Sequence, residues 1–228
     1  MLATLLQTEI GQAALPHPDA RAWLRQLPDA VAALPDAEAL QKHYGTAARK
    51  LKALPPPTPA LLDALRDAGA VAPADWSPGD IGRLLLLLLA LPAAGGTQAE
   101  TLPWRLFRGG DAGEQQSLLR ALPLLPRPEA WLELAVDACR SHIQGNFEAI
   151  ACENSYPARF FPEANFNQLV LKALFTGASL LRVDGLRRRL TPELLRMVAD
   201  LASERRAADR AVPADIHLVL KGSRYENV

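Results

Sequence analysis

The side chains that could do chemistry are concentrated in one stretch of the chain, residues 139–177. Histidine, cysteine, carboxylate, amide, tyrosine and basic side chains alternate there with apolar ones, whereas the preceding sequence is mostly alanine, leucine and proline. Burying polar groups is unfavourable unless each finds a hydrogen-bonding partner. A chain that needed only to fold could use apolar residues here, so we expect a binding surface. The candidate binding residues are His142, Asn146, Glu148, Cys152, Glu153, Asn154, Tyr156, Arg159, Asn167, Gln168 and Lys172.

The first part of this stretch is predicted to lie on one helix that opens at Pro128 and runs to Asn146. His142 and Asn146 follow Cys139 at helical spacing and would face inward near the core stripe. Two interpretations stay open: a polar pocket, or a core histidine that bonds to a backbone carbonyl. The expected core stripe is Leu132, Val136, Cys139 and Ile143.

A second helix is predicted over residues 163–175, where Gln168 and Lys172 share one face with Asn165 close to it. Lys172 is either solvated or paired inside a groove with a carboxylate. The predicted apolar face is Phe166, Leu169, Val170, Ala173 and Leu174, and the candidate carboxylates are Glu148, Glu153 and Glu163.

The connection between these two helices, residues 153–159, is rich in turn-forming asparagine, serine and proline. Loops of this kind often present binding groups on a rigid scaffold. The alternative is a helix-capping turn in which Arg159 pairs with Glu153.

No dense catalytic or metal-binding pattern accompanies these residues. The chain has no CxxC, HExxH, GxGxxG or GxxxxGK[ST] sequence, so we expect neither a metal nor a cofactor. Cys139 and Cys152 are expected to be reduced thiols of a cytoplasmic protein.

Charge and hydropathy exclude further classes of function. The net charge is +0 with 22% charged residues, which lacks the basic footprint of a nucleic-acid-binding protein. The apolar run Leu84–Leu89 is far shorter than the roughly 20 residues that cross a bilayer, so it predicts a buried helix and no transmembrane segment. A membrane-peripheral role would have to use this same run.

Helical signals dominate the sequence and predict an all-α fold, with prolines ending the helices. Well-marked starts occur at Asp36, Ser77-Pro78, Pro162-Glu163 and Thr191-Pro192. The segments LLLLLLALP and LLRALPLLP, which begin at Leu84 and Leu118, are related by a 34-residue shift, a period typical of helical repeats. We therefore predict stacked helical hairpins of the α-solenoid (HEAT or tetratricopeptide) kind, with a compact helical bundle as the alternative.

The proline-rich sequence from Pro55 to Pro59 predicts a stiff linker. It would divide an N-terminal helical segment, residues 1–54, from a main helical domain, residues 60–216. A short helix is expected over Ile216–Leu220, at the start of a terminal tail, residues 217–228.

The sequence from Cys139 to Ile216 resembles the EboA family of bacterial proteins. The resemblance is carried by CENSYPARFFPEANFNQLVLKALF and by GLRRRLTPELLRMVADLASERRAADRAVPADI. It implies a metabolite-traffic protein encoded with a prenyltransferase of the UbiA type, a sugar-phosphate-cyclase-like enzyme and TIM-barrel-like proteins. It implies no catalytic residue.

Together these observations favour a non-catalytic helical scaffold or binding protein. Its partners would be other proteins of the same metabolite pathway, or a small apolar metabolite, bound in a groove formed by residues 139–175. The alternative is a pathway enzyme acting on a prenylated or aromatic metabolite. In that case Glu148 or Glu153 would act as the acid or base, assisted by Tyr156 or Lys172.

Overall fold

The protein is all-helical, as the sequence predicts. The computed structural model describes residues 1–32, 37–94 and 96–221, and every regular element in those ranges is a helix. The predicted helix start at Asp36 and the tail beyond Lys221 lie outside the described residues. The predicted helix near the C-terminus is present as Ile216–Leu220.

The chain divides into two compact units, the first spanning Met1–Leu134 and the second beginning at Ala135. This division differs from the predicted one, because the helices before and after the proline-rich sequence at Pro55–Pro57 belong to the same unit. The α-helices of the first unit are α1 (Leu2–Ala13), α2 (Pro18–Arg25), α3 (Leu27–Ala32), α4 (Ala37–Leu51), α5 (Pro59–Ala68), α6 (Pro78–Ala93), α7 (Gly96–Gly109) and α8 (Ala112–Ala121).

Helix α6 is the core of the first unit and contacts α1, α3, α4 and α8. The predicted start is confirmed: Ser77 caps the helix, Pro78 follows, and Asp80 completes a capping box. Leu84–Leu87 are fully buried, whereas Leu88 and Leu89 of the same run are partly exposed. The buried Arg83 donates from Nε to the carbonyl oxygen of Tyr44 at 3.2 Å.

Two prolines predicted to end helices lie inside them instead. Pro92 is the penultimate residue of α6, and Pro103 lies within α7. Proline removes one backbone donor, but the burial of Leu102 and Leu106 on either side of Pro103 favours the continuous helix. Proline is therefore a weaker boundary signal here than predicted.

The two leucine-rich segments related by a 34-residue shift do not form a structural repeat. The residues of LLLLLLALP all belong to α6, whereas those of LLRALPLLP are divided between the end of α8 and a 3₁₀ turn, Leu122–Leu124. The stacked-hairpin arrangement is therefore not confirmed and stays a prediction, as does the compact bundle.

The second unit contains helices of 5 to 16 residues. Helix α9 (Leu132–Arg140) crosses its boundary. It is followed by α10 (Gln144–Ala151), α11 (Tyr156–Phe160), α12 (Glu163–Thr176), α13 (Pro192–Ala207) and α14 (Ile216–Leu220). The predicted starts of α12 and α13 are confirmed, and the Thr191 side chain accepts from the Leu194 N–H.

Close approach of α4 and α6 generates a test of the fold. A Cβ atom added at Gly79 would lie 2.7 Å from Cα of Ala48, whereas one added at Gly11 of α1 would meet nothing within 4 Å. We expect Gly79→Ala to lower the free energy of unfolding by about 1–2 kcal/mol through overpacking. Gly11→Ala should raise it by about 0.5–1 kcal/mol through helix propensity. Urea unfolding followed by circular dichroism measures both, and equal stabilisation by the two changes would contradict the close approach.

Candidate functional site

The second unit contains an open groove of about 610 Å³ between α9, the segment that follows it, and α12. A groove of this volume lies within the range of ordinary small-molecule sites. Its lining residues are Val136, Cys139, Arg140, Ser141, His142, Gln144, Phe161, Asn165, Gln168, Leu169, Lys172, Phe175 and Thr176.

The groove exists because the helix predicted to run from Pro128 to Asn146 is interrupted. A 3₁₀ turn, Pro128–Trp131, precedes α9, and α9 ends at Arg140. The Ser141 hydroxyl accepts from the Ile143 N–H at 3.1 Å, which offers the backbone an alternative to another helical turn. The prediction of one continuous helix is wrong, and the break forms one rim of the groove.

This interruption also overturns the predicted placement of the side chains. His142 is exposed at the groove rim, whereas Asn146 lies on α10 and is 1% exposed. The residues of α9 that are buried are Leu134, Ala135 and Ala138, not the predicted stripe, and Ile143 is 50% exposed. The two interpretations of an inward-facing His142 therefore do not apply.

Lys172 connects the two walls of the groove. Its Nζ donates to the carbonyl oxygens of Cys139 at 2.5 Å and Ser141 at 2.7 Å, and lies 4.7 Å from the centre of the Phe147 ring. Carbonyls at a helix C-terminus lack intrahelical donors and attract a cation. Burial lowers the pKa of Lys172. These backbone carbonyls, rather than the predicted carboxylates, bind its ammonium group.

Two of those carboxylates bind an arginine instead. Arg182 donates from Nε and Nη2 to both oxygens of Glu153, at 2.8 and 2.9 Å, and from Nη1 to Glu148 at 2.8 Å. Hydrogen bonds donated by Arg182 and Gln144 lower the pKa of Glu148, and the hydrogen bonds that Arg182 donates to Glu153 and Glu148 raise the pKa of Arg182. The alternative prediction that Arg159 pairs with Glu153 is therefore wrong. Arg159 is exposed, with its guanidinium 4.9 Å from the Phe160 ring centre.

The connection from residue 153 to residue 159 is a buried turn followed by α11, not an exposed binding loop. Asn154 donates from Nδ2 to the carbonyl oxygen of Ala149 at 2.9 Å and accepts from the Tyr156 N–H at 3.0 Å. Glu153 has a φ of 45°, and its N–H donates to the carbonyl oxygen of Arg182. Tyr156 is fully buried and Cys152 is 3% exposed. These side chains support the unit rather than face the groove.

The predicted face of α12 is largely confirmed. The five predicted apolar residues are all buried, and Gln168 and Lys172 both line the groove beside Asn165. Asn167 is 2% exposed and does not line the groove. Of the candidate binding residues, the groove therefore brings together His142, Gln168 and Lys172.

Sequence reasoning left several groove residues out of the candidate set. Phe175 and Thr176 follow Lys172 by three and four residues, so helical periodicity alone could have placed them on this face. Arg140 and Gln144 could not be found in this way, because their positions depend on the interruption after α9.

Two negative findings concern the described residues. No group of three or more His, Cys, Asp or Glu side chains in those ranges is arranged to hold a metal ion. Over the same ranges, no helix is long and apolar enough to cross a membrane.

The fold and the groove define an all-helical protein with a small-molecule-sized cleft and no recognised catalytic pattern. The family model described as metabolite traffic protein EboA matches residues 4–221. The chain therefore belongs to the EboA family, as the resemblance indicates. Neither a search of curated proteins nor a search of solved structures gave a match.

The arginine between two carboxylates provides one test of the site. We expect Arg182→Met to lower the free energy of unfolding at pH 7 by at most about 1 kcal/mol, because the pairs are partly exposed. A lowered carboxyl pKa contributes stability above the ordinary value of 4.5, and this stability is lost as the pH falls through the lowered value. The difference in free energy of unfolding between Arg182→Met and the unsubstituted protein should therefore become smaller as the pH is lowered from 7 to 3. Arg196→Met, which removes the more exposed pairs to Glu193 and Asp200, is the matched control and should change stability less.

The two thiols provide a second test. Burial raises the pKa of Cys139 to about 12 and that of Cys152 to about 11, so neither is a thiolate near neutral pH. We expect Cys139 in a Cys152→Ser variant to react with Ellman's reagent at pH 8 about 100-fold more slowly when folded than when unfolded in guanidinium. In the Cys139→Ser variant Cys152 is the remaining thiol, and we expect its reaction to be slowed by folding to a similar extent. Equal rates in folded and unfolded protein would contradict this protected, protonated state.

Proposed function

We propose that the protein is a non-catalytic binding protein that holds a small metabolite in the groove of its second unit. The observation that carries the proposal is the groove itself, whose volume suits a small ligand. Its lining combines apolar side chains such as Leu169 and Phe175 with separated polar groups such as Gln168 and Asn165. Such a lining gives a ligand both affinity and orientation without requiring a reaction.

The charged side chains favour binding over catalysis. Glu148 and Arg182 hold each other in their ionised forms, so Glu148 is a poor proton donor near neutral pH. Tyr156, the assisting group in the enzymatic alternative, has no exposed surface through which to reach a substrate. The pathway-enzyme alternative therefore lacks a suitable acid and an accessible tyrosine.

The family description of a metabolite traffic protein is consistent with this binding role. We propose that the ligand passes to or from other proteins of the same bacterial pathway, for which the chain serves as a scaffold. Cytoplasmic handling is supported by the free thiols of Cys139 and Cys152.

Blocking the groove tests the proposal. We expect native mass spectrometry to detect a bound species after incubation with a small-molecule extract of the source cells. Gln168→Trp should weaken or abolish this binding because the indole obstructs part of the groove. The matched control is Ala164→Trp, an exposed position of α12 that does not line the groove, and it should retain the ligand. Equal retention by both variants would contradict the groove assignment, and a stoichiometric protein partner in place of a ligand would favour a purely scaffolding role.

A further inference from the structure

The charges that line the groove are all of one sign. Its thirteen lining residues include Arg140 and Lys172, whereas none of them is an aspartate or glutamate. This one-sided lining contrasts with the whole chain, in which 25 basic and 25 acidic side chains balance. A cleft lined by one sign of charge concentrates ligands of the opposite sign.

Two apolar residues of the groove, Leu169 and Phe175, lie on a different element from the exposed basic residues Arg140 and His142. Leu169 and Phe175 belong to α12, and Phe175 is 72% exposed despite its large apolar ring. Arg140 and His142 lie at the break after α9, and both are exposed. A ligand with separate apolar and charged parts would match this arrangement.

The rim formed by the break adds further donors for an anion. Helix α10 begins at Gln144, and its cap residue Ile143 makes no side-chain cap hydrogen bond. The first backbone N–H groups of a helix carry partial positive charge. The His142 side chain lies on the same rim and can also donate a hydrogen bond, whereas the Gln144 amide already donates to Glu148 at 2.8 Å.

Arg140 is the side chain best suited to bind an anionic group. Within the part of the chain that the structure describes, its guanidinium makes neither an ion pair nor a side-chain hydrogen bond. Lys172, in contrast, is bound to two carbonyl oxygens and a ring face. A guanidinium binds carboxylate or phosphate oxygens in a bidentate manner.

We propose that the groove binds a single anionic amphiphile, with its carboxylate or phosphate group at Arg140 and its apolar part against Leu169 and Phe175. This inference rests on the proposed binding function and specifies its ligand class. The ligand binds as a free monomer, since the groove is of small-molecule size. Charge on the headgroup, rather than hydrophobicity alone, selects it.

Isothermal titration calorimetry with three probes of equal chain length tests the inference, each below its aggregation concentration. We expect dodecanoate to bind at least about tenfold more tightly than dodecanol, and dodecyltrimethylammonium to bind most weakly. Arg140→Gln should reduce the affinity for dodecanoate about tenfold and leave that for dodecanol unchanged. The matched control is Arg187→Gln, which removes an exposed arginine of the same unit that does not line the groove, and it should leave both affinities unchanged.

The outcomes separate this inference from the proposed function. Equal binding of dodecanol and dodecanoate, blocked by Gln168→Trp, would overturn the anion preference and leave groove binding intact. Binding to vesicles of anionic lipid without binding of monomeric dodecanoate would overturn the inference in favour of a membrane surface. If the protein binds a species from the cell extract but none of the three probes, the proposed ligand class is wrong and the binding function stands. Failure of both experiments would overturn the proposed function as well.

Discussion

The groove depends on the contact between the Lys172 ammonium group and the end of α9. A helix that stops in mid-sequence leaves carbonyl oxygens without intrahelical donors, and here Lys172 supplies donors to Cys139 and Ser141. Because Lys172 lies on α12, the same contact fixes the distance between the two walls. Its partial burial against Phe147 accounts for the lowered pKa and strengthens the interaction with the ring. The lysine therefore positions the groove, and Arg140 and His142 remain exposed beside it.

The same solution recurs at two arginines in the described part of the chain. In the first unit, Arg83 donates to the Tyr44 carbonyl and lies 5.2 Å from the centre of that ring. In the second, Arg189 donates to the carbonyl oxygens of Ala158 and Phe161, 4.7 Å from the Phe166 ring centre. A backbone carbonyl and an aromatic face satisfy a cation without burying a second charge, which would carry its own desolvation penalty. Other cations bind carboxylates nearer the surface, as Arg182 binds Glu148 and Glu153.

The sequence predicts the helices far better than it predicts the site. Starts such as Ser77 and Thr191 are local signals, since the cap, the following proline and the first turn act within four residues. The apolar face of α12 follows from its periodicity alone. The end of α9 could not be predicted in this way, because the carbonyls exposed there are bound by Lys172, which lies on another helix and far along the chain. Every candidate whose placement assumed a continuous helix was displaced by that interruption.

Polar residues proved a poor guide to the groove for a related physical reason. Asn154 and Tyr156 are polar side chains in an apolar context, and such residues can be retained for buried hydrogen bonds as readily as for ligands. Asn154 donates to the carbonyl oxygen of Ala149 and accepts from the N–H of Tyr156. These two hydrogen bonds fix the turn and use the polar atoms of the Asn154 side chain. A side chain is available to a ligand only if the turn and the helix ends do not already use its hydrogen-bonding groups. In this unit such side chains are exposed ones, for example Arg140 and Gln168. Glu148 and Glu153 are bound by Arg182 and do not line the groove, so these two carboxylates do not neutralise the positive charge there. Function in this protein therefore depends on which polar groups the fold leaves unused, and this can be decided only once the long-range contacts of Lys172 and Arg182 are known.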